Sequence, residues 1–260
     1  MTSTGSSTPT DPLLILNGAE SRLQVVLGQG GEVLWAQDLQ SRNRAVVTLP
    51  QILDHCFKLT GIDPASLAGI ACVRGPGTFT GLRVVISVAM GLGLGSHIPL
   101  AGLDYLPILA ASPCLPEAQE IWVCSFARRG MVYLQGFFND RSPLGPPEAL
   151  MQPDALARLQ NRTARLALVG TGLRPDQQLW QDSLPQAALG HPMADHPHPQ
   201  VLLAQAQAAT FAHQPIEPLY LRVSDAEANL AAIAAKRGLS LDEARAFLED
   251  DQEGNEGKKF

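Results

Sequence analysis

One stretch of this chain has to leave a strand, turn and enter a helix within a few residues. The run Arg74-Gly75-Pro76-Gly77-Thr78-Phe79-Thr80-Gly81-Leu82-Arg83 follows an apolar segment, Leu67 to Val73, that reads as a buried strand. It opens a second apolar segment, Leu82 to Leu94, that reads as a helix. Glycine permits close approach and unusual backbone angles there, and proline stiffens the turn. Thr78 or Thr80 can cap the helix start, where the helix dipole is positive. Taken alone, the run is either a loop that holds a phosphate on main-chain N–H groups or a rigid corner.

The 260 residues suit one large domain or two small lobes. A net charge of −6 excludes a chain that grips nucleic acid by itself, because phosphate binding needs a basic surface. Gly91, Gly93, Gly95 and Pro99 interrupt the most apolar helix, so no membrane span is expected. The first eleven residues are rich in Ser, Thr and Pro, with neither a basic start nor an apolar core; they read as a polar, disordered tail rather than a signal. Cys56, Cys72, Cys114 and Cys124 show no Cys-x-x-Cys spacing and read as reduced, buried thiols of a cytosolic protein.

Leu13–Leu16, Leu23–Leu27 and Glu32–Leu39 read as strands. Val46, Leu49, Ile52, Leu53, Cys56 and Phe57 recur at helical spacing up to Gly61. A strand at 67–73, a helix at 81–96, a short strand at 99–103 and a helix from Asp104 follow. A second set starts at Glu120: strands at 120–126 and 131–138, a helix near 153–160, a strand at 165–170, and a helix at 200–212 that closes it. Ser224-Asp225-Ala226-Glu227 and Ser240-Leu241-Asp242-Glu243 fit the capping box and predict helices over 225–237 and 241–250.

The run at 74–83 resembles the hallmark of the TsaB (also called YeaZ) family, in which Gly-Pro-Gly-Thr/Ser-Phe-Thr-Gly-Leu-Arg stands between strand and helix. The resemblance continues through Pro99-Leu100-Ala101-Gly102-Leu103 and reappears at Val169-Gly170-Thr171-Gly172 and Pro218-Leu219-Tyr220-Leu221-Arg222. It implies an α/β, two-lobed, degenerate actin-like ATPase (ASKHA) fold, here with a C-terminal helical extension. The expected division is a tail over 1–12, a first lobe over 13–113, a second over 114–222, the extension over 223–250 and a charged tail over 251–260.

The resemblance also implies a non-catalytic, cytoplasmic scaffold that binds and activates the larger paralogue TsaD for threonylcarbamoyl transfer to the tRNA adenosine next to the anticodon. TsaE, an ATPase, is the implied third partner; tRNA is met only through the complex, and a homodimer through the same helices is the alternative assembly. Helices 46–59 and 81–96 are the implied contact, with Leu49, Ile52, Leu53, Cys56, Arg83, Val85, Ile86 and Met90 as candidates. ATP and metal are implied only in the partner subunits, and no cofactor in this chain. Arg74, Gly75, Pro76, Gly77, Thr78, Thr80 and Gly81 form the candidate anion loop. Arg74 and Arg83 either make salt bridges or meet an anionic neighbour.

An enzyme, either a peptidase or an ATPase using the Gly-Pro-Gly loop, is the competing class. The family's acidic residue after the first strand is Asn17 here, and a second is replaced at Phe126, which removes charge that nucleotide chemistry needs. No His-Glu-x-x-His or His-x-x-x-His occurs. His191, His196 and His198 lie among prolines that deny them a common helical face, so no metal site is expected. Gly91-Leu92-Gly93-Leu94-Gly95 lies at a helix end rather than a start, which suits close helix packing, within the lobe or against a partner, better than a dinucleotide.

Overall fold

The computed structural model describes residues 11–40, 45–112 and 115–222. Residues 1–10 of the N-terminal tail, Cys114, the capping-box helices and the charged tail lie outside the described residues. Contacts gather Met1–Leu221 in one compact unit and Arg222–Phe260 in another, of which only Arg222 is described.

Three antiparallel strands, β1 (Leu13–Asn17), β2 (Arg22–Gln29) and β3 (Glu32–Gln40), lead into α1 (Ala45–Thr60), β4 (Gly69–Gly75), α2 (Phe79–Ser96) and β5 (Leu100–Asp104). The sheet order is β3-β2-β1-β4-β5, with β4 parallel to both β1 and β5. After α3 (Tyr105–Ala110) the plan repeats: β6 (Glu120–Arg128), β7 (Met131–Phe138) and β8 (Glu148–Met151) form an antiparallel meander. Then α4 (Gln152–Gln160), β9 (Leu166–Val169), α5 (Gln177–Ser183) and β10 (Ala188–Leu189) complete a sheet of order β8-β7-β6-β9-β10. The two orders are the same, and β9 is parallel to β6 and β10 as β4 is to β1 and β5. The duplication is not legible in the residues themselves.

Alternation along the strands of the second sheet assigns residues to two cores. Ile121, Val123 and Ala127 of β6, Ala167 and Val169 of β9, and Tyr133 and Phe137 of β7 join the large core shared with the first sheet. Their neighbours Trp122, Cys124, Val132, Leu134, Leu166 and Leu168 face the other way, into a smaller core with Leu156, Leu159, Trp180 and Leu184 of α4, α5 and the residue that ends α5. Strand β1 is buried throughout, as a central strand covered on both faces must be.

Two elements depart from the expectations. The last described helix, α6 (Pro199–Gln207), packs on β1, β2 and β3 of the first sheet rather than closing the second. It also stops short of 212, because Ala212 exchanges main-chain hydrogen bonds of 2.9 Å with Leu100 and the chain must straighten to do so. Helix α2 runs unbroken through Gly91, Gly93 and Gly95. Its 18 residues have a mean hydropathy of 1.5, enough by length and composition for a membrane span. Here it is a packed helix, with Leu82, Val85, Ile86, Ala89 and Gly93 turned inward and β1, β4, β5 and α1 against it.

Candidate functional site

The Gly-Pro-Gly loop follows β4 and meets the turn between β1 and β2. Thr78 stands at the N-cap of α2 without a side-chain capping bond, and its N–H donates to the Ala19 carbonyl at 2.6 Å. A Cβ on Gly77 would overlap the Ala19 carbonyl, and one on Gly81 the Gly18 carbonyl. Glycine is needed here for main chain to touch main chain. Gly75, Pro76 and Gly77 are buried, Gly81 is half-buried, and Thr78 and Thr80 are exposed. The Thr78 N–H is therefore spent within the chain, where main chain packs on main chain as a rigid corner would have it.

The two flanking arginines are engaged within the chain. Arg74 donates from Nε to Asp104 at 2.7 Å. Arg83 donates from Nε to the Tyr220 hydroxyl at 3.1 Å and lies over the Phe79 and Tyr220 rings, which stack 4.5 Å apart. Leu219 N–H donates to the Arg74 carbonyl at 2.8 Å, so the 218–222 motif lies against the loop although 137 residues separate Tyr220 from Arg83.

Of the candidate partner residues, Leu49, Ile52, Leu53, Cys56, Val85 and Ile86 are buried in the large core. The apolar stripe that marked them is the inward face of each helix, where they offer a partner little surface. Arg83 is exposed and Met90 half-buried. The apolar residues that α1 and α2 do present outward are Val46, Val47, Leu59 and Leu94, which is 87% exposed. A cavity of about 470 Å³ opens beside the end of α2, between Met90, Leu94, His97, Ile98 and Leu100.

The polar heart of the molecule is the seam between the sheets. Asn17 is buried, accepting from Ala19 N–H at 3.0 Å and donating to Gln24 at 2.7 Å. Gln24 donates in turn to Asp38 at 3.0 Å and to the Pro197 carbonyl at 2.9 Å. Asn17 thus braces the turn. Phe126, at the other replaced position, is 40% exposed, and its N–H donates to Thr171 Oγ1 at 3.0 Å.

The carboxyl group that sequence reasoning missed is Glu20, three residues beyond Asn17. Its side chain is 7% exposed. One oxygen accepts from Ser125 Oγ and from Thr171 Oγ1, the latter at 2.8 Å; the other lies 3.8 Å from His196 Nδ1. Burial pushes the Glu20 pKa up to about 7; the two hydroxyls oppose the rise, and the charge of Asp195 adds to it. Asp195 is itself buried and held by Arg174 through Nε at 2.6 Å and Nη2 at 2.7 Å, and by Gly170 N–H at 3.1 Å. Burial, then Arg22, holds His196 below its usual range.

His191 and His198 accept from the N–H groups of Met193 and Gln200, each at 3.2 Å, and so cap the 3₁₀ turn at Pro192–Ala194 and helix α6. Among the described residues, no group of three or more His, Cys, Asp or Glu side chains is placed to hold a metal ion. Burial raises the Cys56 thiol to about 11 and pushes those of Cys72 and Cys124 further up, which removes them as nucleophiles.

A family model described as "TsaD: tRNA N6-adenosine threonylcarbamoyltransferase" matches residues 40–178, just over half of the chain. The tRNA threonylcarbamoyladenosine biosynthesis protein TsaB of Escherichia coli (strain K12) is 28% identical over 218 residues, covering 81% of this chain and 94% of that protein. The TsaB protein of Haemophilus influenzae is 28% identical over 222 residues, covering 81% and 93%. Among solved structures, a Pseudomonas aeruginosa protein with similarity to peptidase YeaZ superposes with a TM-score of 0.65 at 23% identity, over 82% of this chain and all of that one. The duplicated sheets are those of the two-lobed actin-like ATPase fold. The chain belongs to the family that this transferase model describes, and it is similar over most of its length to the proteins named TsaB.

Proposed function

We propose that this chain is the non-catalytic, cytoplasmic subunit that binds a TsaD-type transferase and supports threonylcarbamoyl transfer to tRNA adenosine next to the anticodon. The observation that carries this reading is the filled seam. The loop after β4 spends its Thr78 N–H on Ala19, and Glu20 lies across the ends of the two sheets, where Ser125 and Thr171 hold it. The space between the sheets thus serves the chain's own packing. The net charge of −6 supports contact with tRNA through partners rather than directly.

The partner surface we infer is the outward side of α1 and α2, with Val46, Val47, Leu59 and Leu94 as its apolar contacts and Arg83 at one end. An ATPase of TsaE type completes the proposed assembly, with any nucleotide and metal held by the partners. Co-purification with the TsaD of the same organism tests the reading. Wild type should form a stable complex that Val47→Glu or Leu94→Glu abolishes without loss of folding. A well-folded wild-type chain that binds no TsaD, or that hydrolyses ATP or a peptide alone, would refute it. A self-association lost in the same variants would identify the homodimer.

A further inference from the structure

Glu20 belongs by sequence to the first sheet, yet its hydrogen-bond partners belong to the second. Ser125 lies near the end of β6 and Thr171 in the turn after β9, 105 and 151 residues away. The turn that carries Glu20 is gripped in turn by the Thr78 N–H. A further contact of the same kind, Tyr133 hydroxyl to the Gly77 carbonyl at 3.4 Å, joins the Gly-Pro-Gly loop to β7. Displacing the Glu20 carboxyl would therefore disturb the turn, the loop and the junction of the sheets together.

The surroundings decide which form of the carboxyl fits. Ser125 faces it from β6, Thr171 from the turn after β9, and Asp195 and His196 from the segment before α6; Tyr105 of α3 and Cys124, on the opposite face of β6, are near enough to feel its charge. Arg22 and Asp38, on β2 and β3, act on His196. Arg174 and the Gly170 N–H hold the Asp195 carboxyl in place. His196 is kept neutral by burial and Arg22, and at 3.8 Å it is too far for a hydrogen bond. An ionised Glu20 would have two hydroxyl donors, no cation, and a fixed anion nearby.

We propose that Glu20 is a proton-operated latch between the two sheets, closed when its carboxyl is neutral and loosened when it ionises. The neutral carboxyl accepts both hydroxyls without adding charge to a dry seam. The two hydroxyls bind a carboxylate more strongly, but they do not offset the loss of hydration in the buried seam, so the ionised group favours an opened seam that admits water. Burial raises the Glu20 pKa from 4.5 to about 7, so the latch loosens progressively as pH rises between those values and changes little above them.

Hydrogen exchange on the full chain tests this at the Ala19, Thr78, Phe126 and Gly170 amides, each hydrogen-bonded at or beside the seam. After correction for the intrinsic pH dependence, their protection should fall by roughly a hundredfold as pH is raised from 4.5 to about 7 and then level off, while the centre of β4 holds. Glu20→Gln should keep the seam protected on both sides of that titration. Glu20→Asp, one methylene shorter, should leave it poorly protected on both sides. Carboxyl carbon resonances follow the titration in the wild type directly. Protection that ignores pH, a Glu20→Gln chain that follows the wild-type fall, or a Glu20 midpoint in the ordinary carboxylate range would overturn the proposal.

Discussion

Replacing Gly77 by alanine separates a rigid corner from an anion loop. The new Cβ would lie 2.7 Å from Ala19 Cα and 2.8 Å from its carbonyl carbon, besides overlapping the oxygen. Ordinary contact begins near 3.4 Å, so the β1–β2 turn must withdraw by roughly 0.7 Å or more. Overpacking of this kind costs about 1–3 kcal/mol. The withdrawal also breaks the Thr78 N–H to Ala19 bond, worth about 1 kcal/mol more. A total loss of about 2–4 kcal/mol lowers Tm by roughly 5–15 °C in a unit of this size. Urea denaturation with an unchanged m-value is the assay, with Gly91→Ala as control: nothing lies within 4 Å of its Cβ, and helix propensity should make it neutral or stabilising by up to about 1 kcal/mol. A Gly77→Ala chain within about 0.5 kcal/mol of wild type would refute the packing argument. Protection of the wild type alone by inorganic phosphate would restore the anion reading.

Four further outcomes are expected. Glu20 binds its proton more tightly folded than unfolded, so its contribution to stability is greatest below pH 4.5 and falls as pH rises to about 7. The difference amounts to about 3 kcal/mol, and pH-dependent denaturation of wild type against Glu20→Gln should show it as a slope present only in the former. Arg174→Met leaves the Asp195 carboxylate buried without its partner and should cost about 3–5 kcal/mol in urea, with Asp195→Asn in the same background restoring part of it. Tyr220→Ala removes the ring stacked on Phe79 and under Arg83; a loss of about 1–2 kcal/mol is expected, and none at all would mean the 218–222 segment does not hold the loop. Maleimide labelling of the native chain followed by mass mapping should spare Cys56, Cys72 and Cys124, all buried, until denaturant is added.

The strand–turn–helix run, the buried strands β1 and β4 and the amphipathic α1 were legible because each is a local pattern of period and turn chemistry. The same periodicity misled at Leu49, Ile52 and Ile86, since an apolar stripe looks alike whether it faces its own sheet or another protein. Strand β8 was missed because Gly145-Pro146-Pro147 reads as loop; pairing with the edge of β7 makes it a strand. Glu20 carried no local mark at all. Its chemistry is made by Ser125 and Thr171, more than a hundred residues on, and only the fold brings them to it. The replaced acid at Asn17 was visible, but not the other carboxyl three residues further along.

Helix α6 comes from the far end of the described chain, yet Leu202, Leu203 and Ala206 are part of the core that covers the first sheet, and Leu203 fills the space beside Gly28. During synthesis the first five strands would leave the ribosome with one side still wet. They stay so until nearly a hundred more residues have followed. A ribosome stalled within the second half should hold a nascent chain whose opening strands remain open to protease. Release of α6 should be the moment at which both halves become resistant together.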